Sequence, residues 1–224
     1  MRNVDFLACG VAPGTRDFVT GQIVGGAPVS PYSLPWQVGL VNSNSNRPFC
    51  GGTLISSRHI LTASHCIRSN PTSNTFDIIV GEHGTTNSSD GTRHEICRAV
   101  RHPSYNNGAS LNNDFAIVHL KQPVLFNVRA VPACLPTTVH GNEFLVGKNM
   151  TVSGWGRLSS GGSIPTVLHS VVVPGITNAA CKARYGNSRI TTQMLCAGDV
   201  ANGGIDSCQG DSGGKAYILM ILQM

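Results

Sequence analysis

Three short stretches hold side chains whose types and order could perform nucleophilic chemistry. Ser212 sits in Gly210-Asp211-Ser212-Gly213-Gly214. A serine hydroxyl is a poor nucleophile until a neighbouring base takes its proton. Acyl transfer also needs backbone N–H groups aimed at the developing oxyanion. Glycines on both sides of a serine allow a tight turn that presents such groups without an obstructing side chain. Taken alone, the pentapeptide reads equally well as a glycine-rich surface turn. A base is offered by Leu61-Thr62-Ala63-Ser64-His65-Cys66, where His65 follows an apolar run. A carboxylate is offered by Asn112-Asn113-Asp114-Phe115-Ala116-Ile117-Val118. An acid at the head of an apolar run is costly to bury unless it is paired, and a histidine N–H is a suitable partner. The chain order His65, Asp114, Ser212 is one of the few in which such a trio recurs.

The elements that must position these groups read as short strands. Apolar runs at residues 36–41, 52–55, 60–63, 76–80, 115–120, 150–152 and 167–173 are separated by turn clusters such as NSNSNRP, GTTNSSDG and YNNGASLNN. Many short strands at this spacing predict an all-β sandwich or barrel. One helical turn is predicted at residues 63–66 and a short helix at 178–185. Composition agrees: among 224 residues there are 26 Gly, 6% aromatic and 12% charged residues, a mix that suits turns and strands. The formal charge is +5, and 12 of the 16 basic residues are Arg scattered singly along the chain. Nucleic-acid binding needs clustered charge, so this pattern argues against it. Eight cysteines without a C-x-x-C pair point to an oxidising compartment rather than a zinc site. The longest apolar run, residues 217–222, is too short to cross a bilayer. The start, MRNVDFLACGVAPG, has no apolar core of signal-peptide length, so the expectation is an upstream start or a fragment.

Ten motifs in order carry a resemblance: IVGG at residues 23–26, LPWQVGL, FCGGTLIS, LTASHC, HPSYN, NNDFAIVHL, ACLP, SGWG, MLCAG and DSCQGDSGG. On these the chain resembles the chymotrypsin-fold serine proteases, the trypsin branch in particular, over residues 23–214. The resemblance implies two antiparallel six-stranded Greek-key barrels. It makes Ser212 the nucleophile, His65 the general base and then acid, and Asp114 the group that holds the imidazole tautomer. It places the oxyanion hole at the N–H groups of Gly210 and Ser212, and the acid at the base of the specificity pocket at Asp206. A carboxylate there favours Arg or Lys before the scissile bond. It implies a zymogen, in which a cut before Ile23 frees an ammonium that pairs with Asp211. It implies the disulfides Cys50–Cys66, Cys181–Cys196 and Cys9–Cys134, the last tethering residues 1–22 as a pro-segment. Protein or peptide substrates and serine protease inhibitors are the implied partners of a secreted monomer, with no metal and no organic cofactor.

The sequence departs from the family at several points. Residue 22 is Gln, where Arg or Lys is usual, and the nearest basic residue is Arg16. Cys97 has no partner in the family pattern, and the usual partner of Cys208 lies beyond the nucleophile, where this chain has no cysteine. After Gly214 the family continues with Pro and further strands. Residues 215–224, KAYILMILQM, read instead as a non-matching tail, so the expectation is an incomplete second barrel. An inactive homologue acting as a binding module, or a truncated fragment, is the alternative to an enzyme. Glu82 opens a loop in which some trypsins bind calcium, but other acidic ligands are wanting. Asn87-Ser88-Ser89 and Asn149-Met150-Thr151 are glycosylation sequons, the second beside a predicted strand. Ser64 stands where Ala is usual and reads as a tolerated change.

Overall fold

The computed structural model describes residues 9–12, 27–67, 75–85, 90–135, 145–157 and 163–198. Strands dominate it, and six of them close on themselves. They are β2 (Gln37–Val41), β3 (Pro48–Ser56), β4 (His59–Thr62), β5 (Asp77–Val80), β6 (Thr92–Arg101) and β7 (Ala116–Leu120), following a short β1 (Ala27–Pro28). The barrel order is β2-β3-β4-β7-β6-β5, with every described pair antiparallel.

The inward-facing positions explain why these segments pair. Val38, Leu40, Leu54, Ile60, Ile78, Ile96 and Val118 are fully buried. Most sit at alternate positions of their strands, as a half-buried pleated sheet requires. β-branched residues fill much of this interior, where their stiff side chains pack well. Gly52 is required by close approach. A Cβ there would lie 2.9 Å from a methyl of Ile60 on β4. β6 carries a bulge between Ile96 and Arg98. The extra residue is Cys97, which is exposed and, among the described residues, is the free cysteine.

The second half contributes β8 (Asn149–Gly154), β9 (His169–Ile176), a helix α1 (Asn178–Tyr185) and β10 (Cys196–Ala197). β9 is the common partner: β8, β1 and β10 all pair with it, antiparallel. The described residues thus form one closed six-stranded barrel and a four-stranded sheet. The first barrel matches the expected architecture. Residues 217–222 lie outside the described set, as do Cys208 and the Asn87 sequon. Asn149, in the other sequon, is exposed at the start of β8.

α1 has legible ends. The Thr177 hydroxyl accepts the Ala180 N–H at 3.0 Å, an N-cap. Gly186, at φ +95°, ends the helix with its N–H on the Lys182 carbonyl at 2.8 Å. Among the described residues, three disulfides join the pairs that the resemblance implied: Cys9–Cys134, Cys50–Cys66 and Cys181–Cys196. The barrel and the sheet are stitched together by main-chain bonds, Leu168 N–H to the His83 carbonyl at 2.9 Å and Thr85 N–H to Thr166 at 2.7 Å. Trp155 adds its indole N–H to the same His83 carbonyl at 3.1 Å. Among the described residues no helix is long and apolar enough to cross a membrane.

Candidate active site

His65 is set at the end of β4 by a 3-10 turn, Ser64–Cys66, that begins where the extended Ala63 stops. Cys66 N–H and Ile67 N–H close this turn on the carbonyls of Ala63 and Ser64 at 3.2 and 3.0 Å. The disulfide to Cys50 anchors its far side to β3, with both cysteines buried. The Ser64 hydroxyl, fully buried, donates to the Phe115 carbonyl at 2.6 Å. That bond fixes the turn to the residue next to Asp114. Ser64 therefore has a structural role that sequence reasoning, which took it as a tolerated change, did not give it.

Asp114 receives His65 twice. One carboxylate oxygen accepts the His65 backbone N–H at 2.9 Å, and the other meets the ring nitrogen Nδ1. Each side chain is 18% exposed. The pair is thus shielded but not sealed, which strengthens a charge-assisted bond relative to water. The chemistry of this arrangement is specific. With Nδ1–H committed to the carboxylate, the imidazole is held in the tautomer whose Nε2 can take a proton, and a nearby charge stabilises the imidazolium that results.

The loop before Asp114 is built to aim it. Asn106, Leu111 and Asn113 have φ values of 63°, 61° and 52°, a left-handed region that Asn adopts more readily than Leu. Side chains hold these turns. Asn106 Oδ1 accepts Leu111 N–H at 2.7 Å, and Asn113 Nδ2 donates to the Ser104 carbonyl at 3.0 Å. Asn112 is buried, with its Nδ2 on the Asn107 carbonyl at 2.6 Å. Its Oδ1 accepts the Thr191 hydroxyl at 2.6 Å, from the segment between α1 and β10. Asn178 Nδ2 supports that segment on the Thr191 and Met194 carbonyls, each at 3.1 Å. The second half of the chain thereby touches the loop that carries Asp114. The Asn-rich spacing was a visible turn signal; the partner Thr191 was not. Burial, and then the Asp114 charge, push the Tyr105 phenol up, while Arg101 pulls it the other way.

The remaining predicted site residues, Ser212, Gly210, Asp211, Asp206 and Ile23, lie outside the described residues, so the structure joins two of the predicted trio. Glu82 is buried and accepts Gly91 N–H at 3.1 Å. Burial first, then Asp90, pushes its carboxyl up to about 7, against the Gly91 hydrogen bond. Among the described residues no group of three His, Cys, Asp or Glu side chains is placed to hold a metal ion.

Comparison with known proteins gives a consistent result. The family model described as Trypsin matches residues 23–218. The chain is 38% identical over 216 residues to trypsin I-P38 of Gallus gallus, covering 94% of this chain and 80% of that protein. It is 36% identical over 197 residues to a trypsin of Phaedon cochleariae, covering 88% of this chain and 74% of that protein. It is also 38% identical over 225 residues to the serine protease filzig of Drosophila melanogaster, 94% of this chain but 12% of that much longer protein.

Proposed function

The chain belongs to the trypsin family of chymotrypsin-fold serine proteases, and on that premise we propose that it is a secreted endopeptidase cutting after Arg or Lys through an acyl-enzyme. The observation that carries this reading is the double engagement of His65 by Asp114. In the proposed reaction Ser212 Oγ attacks the scissile carbonyl carbon while His65 Nε2 takes its proton. The carbonyl oxygen becomes an oxyanion held by the Gly210 and Ser212 N–H groups. Collapse breaks the C–N bond, and His65 returns the proton to the leaving amine. Water, deprotonated by His65 in turn, then hydrolyses the Ser212 ester. Asp206 supplies the negative charge that prefers a cationic side chain before the cut.

Activation follows the release of Ile23, whose ammonium pairs with Asp211 and orders the oxyanion loop. Because residue 22 is Gln, the activating protease is one that accepts Gln, and Cys9–Cys134 keeps the pro-segment attached after the cut. The three disulfides support an extracellular setting. Partners are protein substrates and serine protease inhibitors, and the working form is a monomer.

Specificity is tested with peptide amides ending in Arg, Lys, Phe or Glu. A Gln22→Arg chain allows trypsin to release Ile23. The proposal expects Arg and Lys amides to be cut at least 100-fold faster (an order-of-magnitude expectation). Asp206→Ser should abolish that preference. Turnover of Phe or Glu amides in preference to Arg and Lys would contradict it.

A further inference from the structure

Away from His65 and Asp114, the barrel holds a second pair of chemically capable side chains in register. β4 and β7 are antiparallel, with His59 opposite His119. Leu120 N–H donates to the Arg58 carbonyl across these strands at 3.0 Å. Arg58 and Leu120 therefore occupy a hydrogen-bonded position, and His59 and His119 the adjacent non-hydrogen-bonded one, where facing side chains stand closest. Their neighbours Ile60 and Val118 are fully buried. Alternation puts both histidines on the outer face of the barrel, each half-buried.

The ring centroids are 4.6 Å apart, with the planes at 72°. An imidazole nitrogen binds Zn²⁺ at about 2.0–2.1 Å, which puts the ring centre about 3.2 Å from the ion. Two rings at about a right angle around a square-planar ion would thus have centres about 4.5 Å apart, and around a tetrahedral ion about 5.2 Å. The observed separation of 4.6 Å lies near the right-angle value, and with the His59 ring held by Ser56, turning of the His119 ring is the adjustment needed. The outer shell is present as well. Ser56 Oγ lies 2.6 Å from His59 Nδ1, so an ion on Nε2 leaves Nδ1–H to donate to that hydroxyl and fix the ring.

We propose that His59 and His119 form an accessory site for a borderline divalent transition cation, Cu²⁺ or Zn²⁺, on the outer face of the closed barrel. Imidazole pairs suit these ions, whereas Ca²⁺ and Mg²⁺ require oxygen ligands. The protein supplies two ligands and water the rest. Arg98 stands across from His119 on β6. Arg58 and Lys121 flank the pair, Lys121 being matched by Glu95 at 2.5 Å. This positive surrounding opposes a dication, so affinity is expected on the order of micromolar, with Cu²⁺ tighter than Zn²⁺.

The test uses the full oxidised chain with free thiols alkylated, so that Cys97 does not compete. Cu²⁺ is titrated by calorimetry, and the bound ion is examined by electron paramagnetic resonance. The expected result is one tight equivalent with hyperfine structure from two nitrogens. Affinity should fall at least about 10-fold in His59→Gln and in His119→Gln. His83→Gln should bind as the parent does, and Ca²⁺ should not bind there. Protection from diethylpyrocarbonate, mapped by mass spectrometry, needs no variant. Cu²⁺ should shield His59 and His119 together. Unchanged affinity in both variants, or shielding of other histidines alone, would overturn the proposal. Neither result depends on peptidase activity, so the site and the proposed function stand or fall separately.

Discussion

The closed barrel and the β8–β9 sheet differ in how they hold their interiors. The barrel surrounds a continuous apolar core that includes Trp36, Leu40, Leu54, Ile60, Ile78 and Val118, each at most 1% exposed. In the sheet, the described buried cluster is Leu145, Met150 and Val173. Its neighbour Val172 is 45% exposed. The barrel also carries both ends of the His65–Asp114 bond, with Ser64 and Cys66 as supports. Among the described residues, the segment between α1 and β10 reaches that site through the Thr191 hydroxyl on Asn112. The lesson is a division of labour among the described residues: His65 and Asp114, the proposed base and its orienting acid, rest on the closed barrel's packing, and the second half props their loop from outside.

The sharpest way to break this comparison is to spoil the barrel's polar pair without its packing. Asp114→Asn keeps an oxygen to accept the His65 backbone N–H but favours the wrong imidazole tautomer. The activated enzyme should lose about 10⁴-fold in kcat, with its urea midpoint little changed. Unaltered kcat would mean that the observed pair does not serve the reaction.

Packing comes next. Ile60→Ala should cost about 2–5 kcal/mol in urea unfolding, since the closed barrel cannot collapse around the lost volume. Met150→Ala should fall at or below the bottom of that range, because among the described residues its buried cluster holds Leu145 and Val173 beside it, next to exposed Val172. Equal losses would erase the contrast.

The junction between the two regions offers a pH test. Glu82 precedes His83, whose carbonyl joins the barrel to Leu168 and Trp155. With its carboxyl pushed from 4.5 to about 7, the folded protein keeps a proton that the unfolded chain releases. Its contribution is therefore fully present below the ordinary carboxyl value and is lost as pH rises through about 7. Glu82→Gln should remove that loss and leave the variant more stable than the parent above neutrality, by about 1–3 kcal/mol. Parallel stability curves from pH 4 to 8 would contradict the buried, protonated state.

The smallest expected effect belongs to the strut. Thr191→Val should cost about 1 kcal/mol. It should broaden the downfield proton resonance of His65 Nδ1–H, and it should lower kcat a few-fold with KM nearly constant. A pure stability loss with an unchanged resonance would show that the strut does not position Asp114.

Much of this was legible in the residues. The runs at 36–41, 60–63 and 115–120 mark β2, β4 and β7 because their neighbours are turn formers. The helix at 178–185 coincides with α1, with Thr177 and Gly186 as its stops. β6 was harder to see: TRHEICRAVR alternates poorly, because a bulge at Cys97 breaks its period and its outer face is charged. The His65–Asp114 pairing follows from the cost of burying a lone carboxylate. The Ser64 and Thr191 bonds do not, since each joins residues 51 or 79 positions apart and a hydroxyl in the sequence carries no mark of its partner. The same holds for His59 and His119, whose meeting depends on strand register.

The central claim, that Ser212 is activated by the His65–Asp114 pair, is tested most directly by labelling with a fluorophosphonate probe. The oxidised Gln22→Arg chain is labelled before and after release of Ile23, with Ser212→Ala alongside. The account predicts labelling that appears on the cut, maps to Ser212 and is lost in Ser212→Ala. A compact, protease-resistant chain that stays unlabelled after the cut would contradict it and favour a non-catalytic binding module.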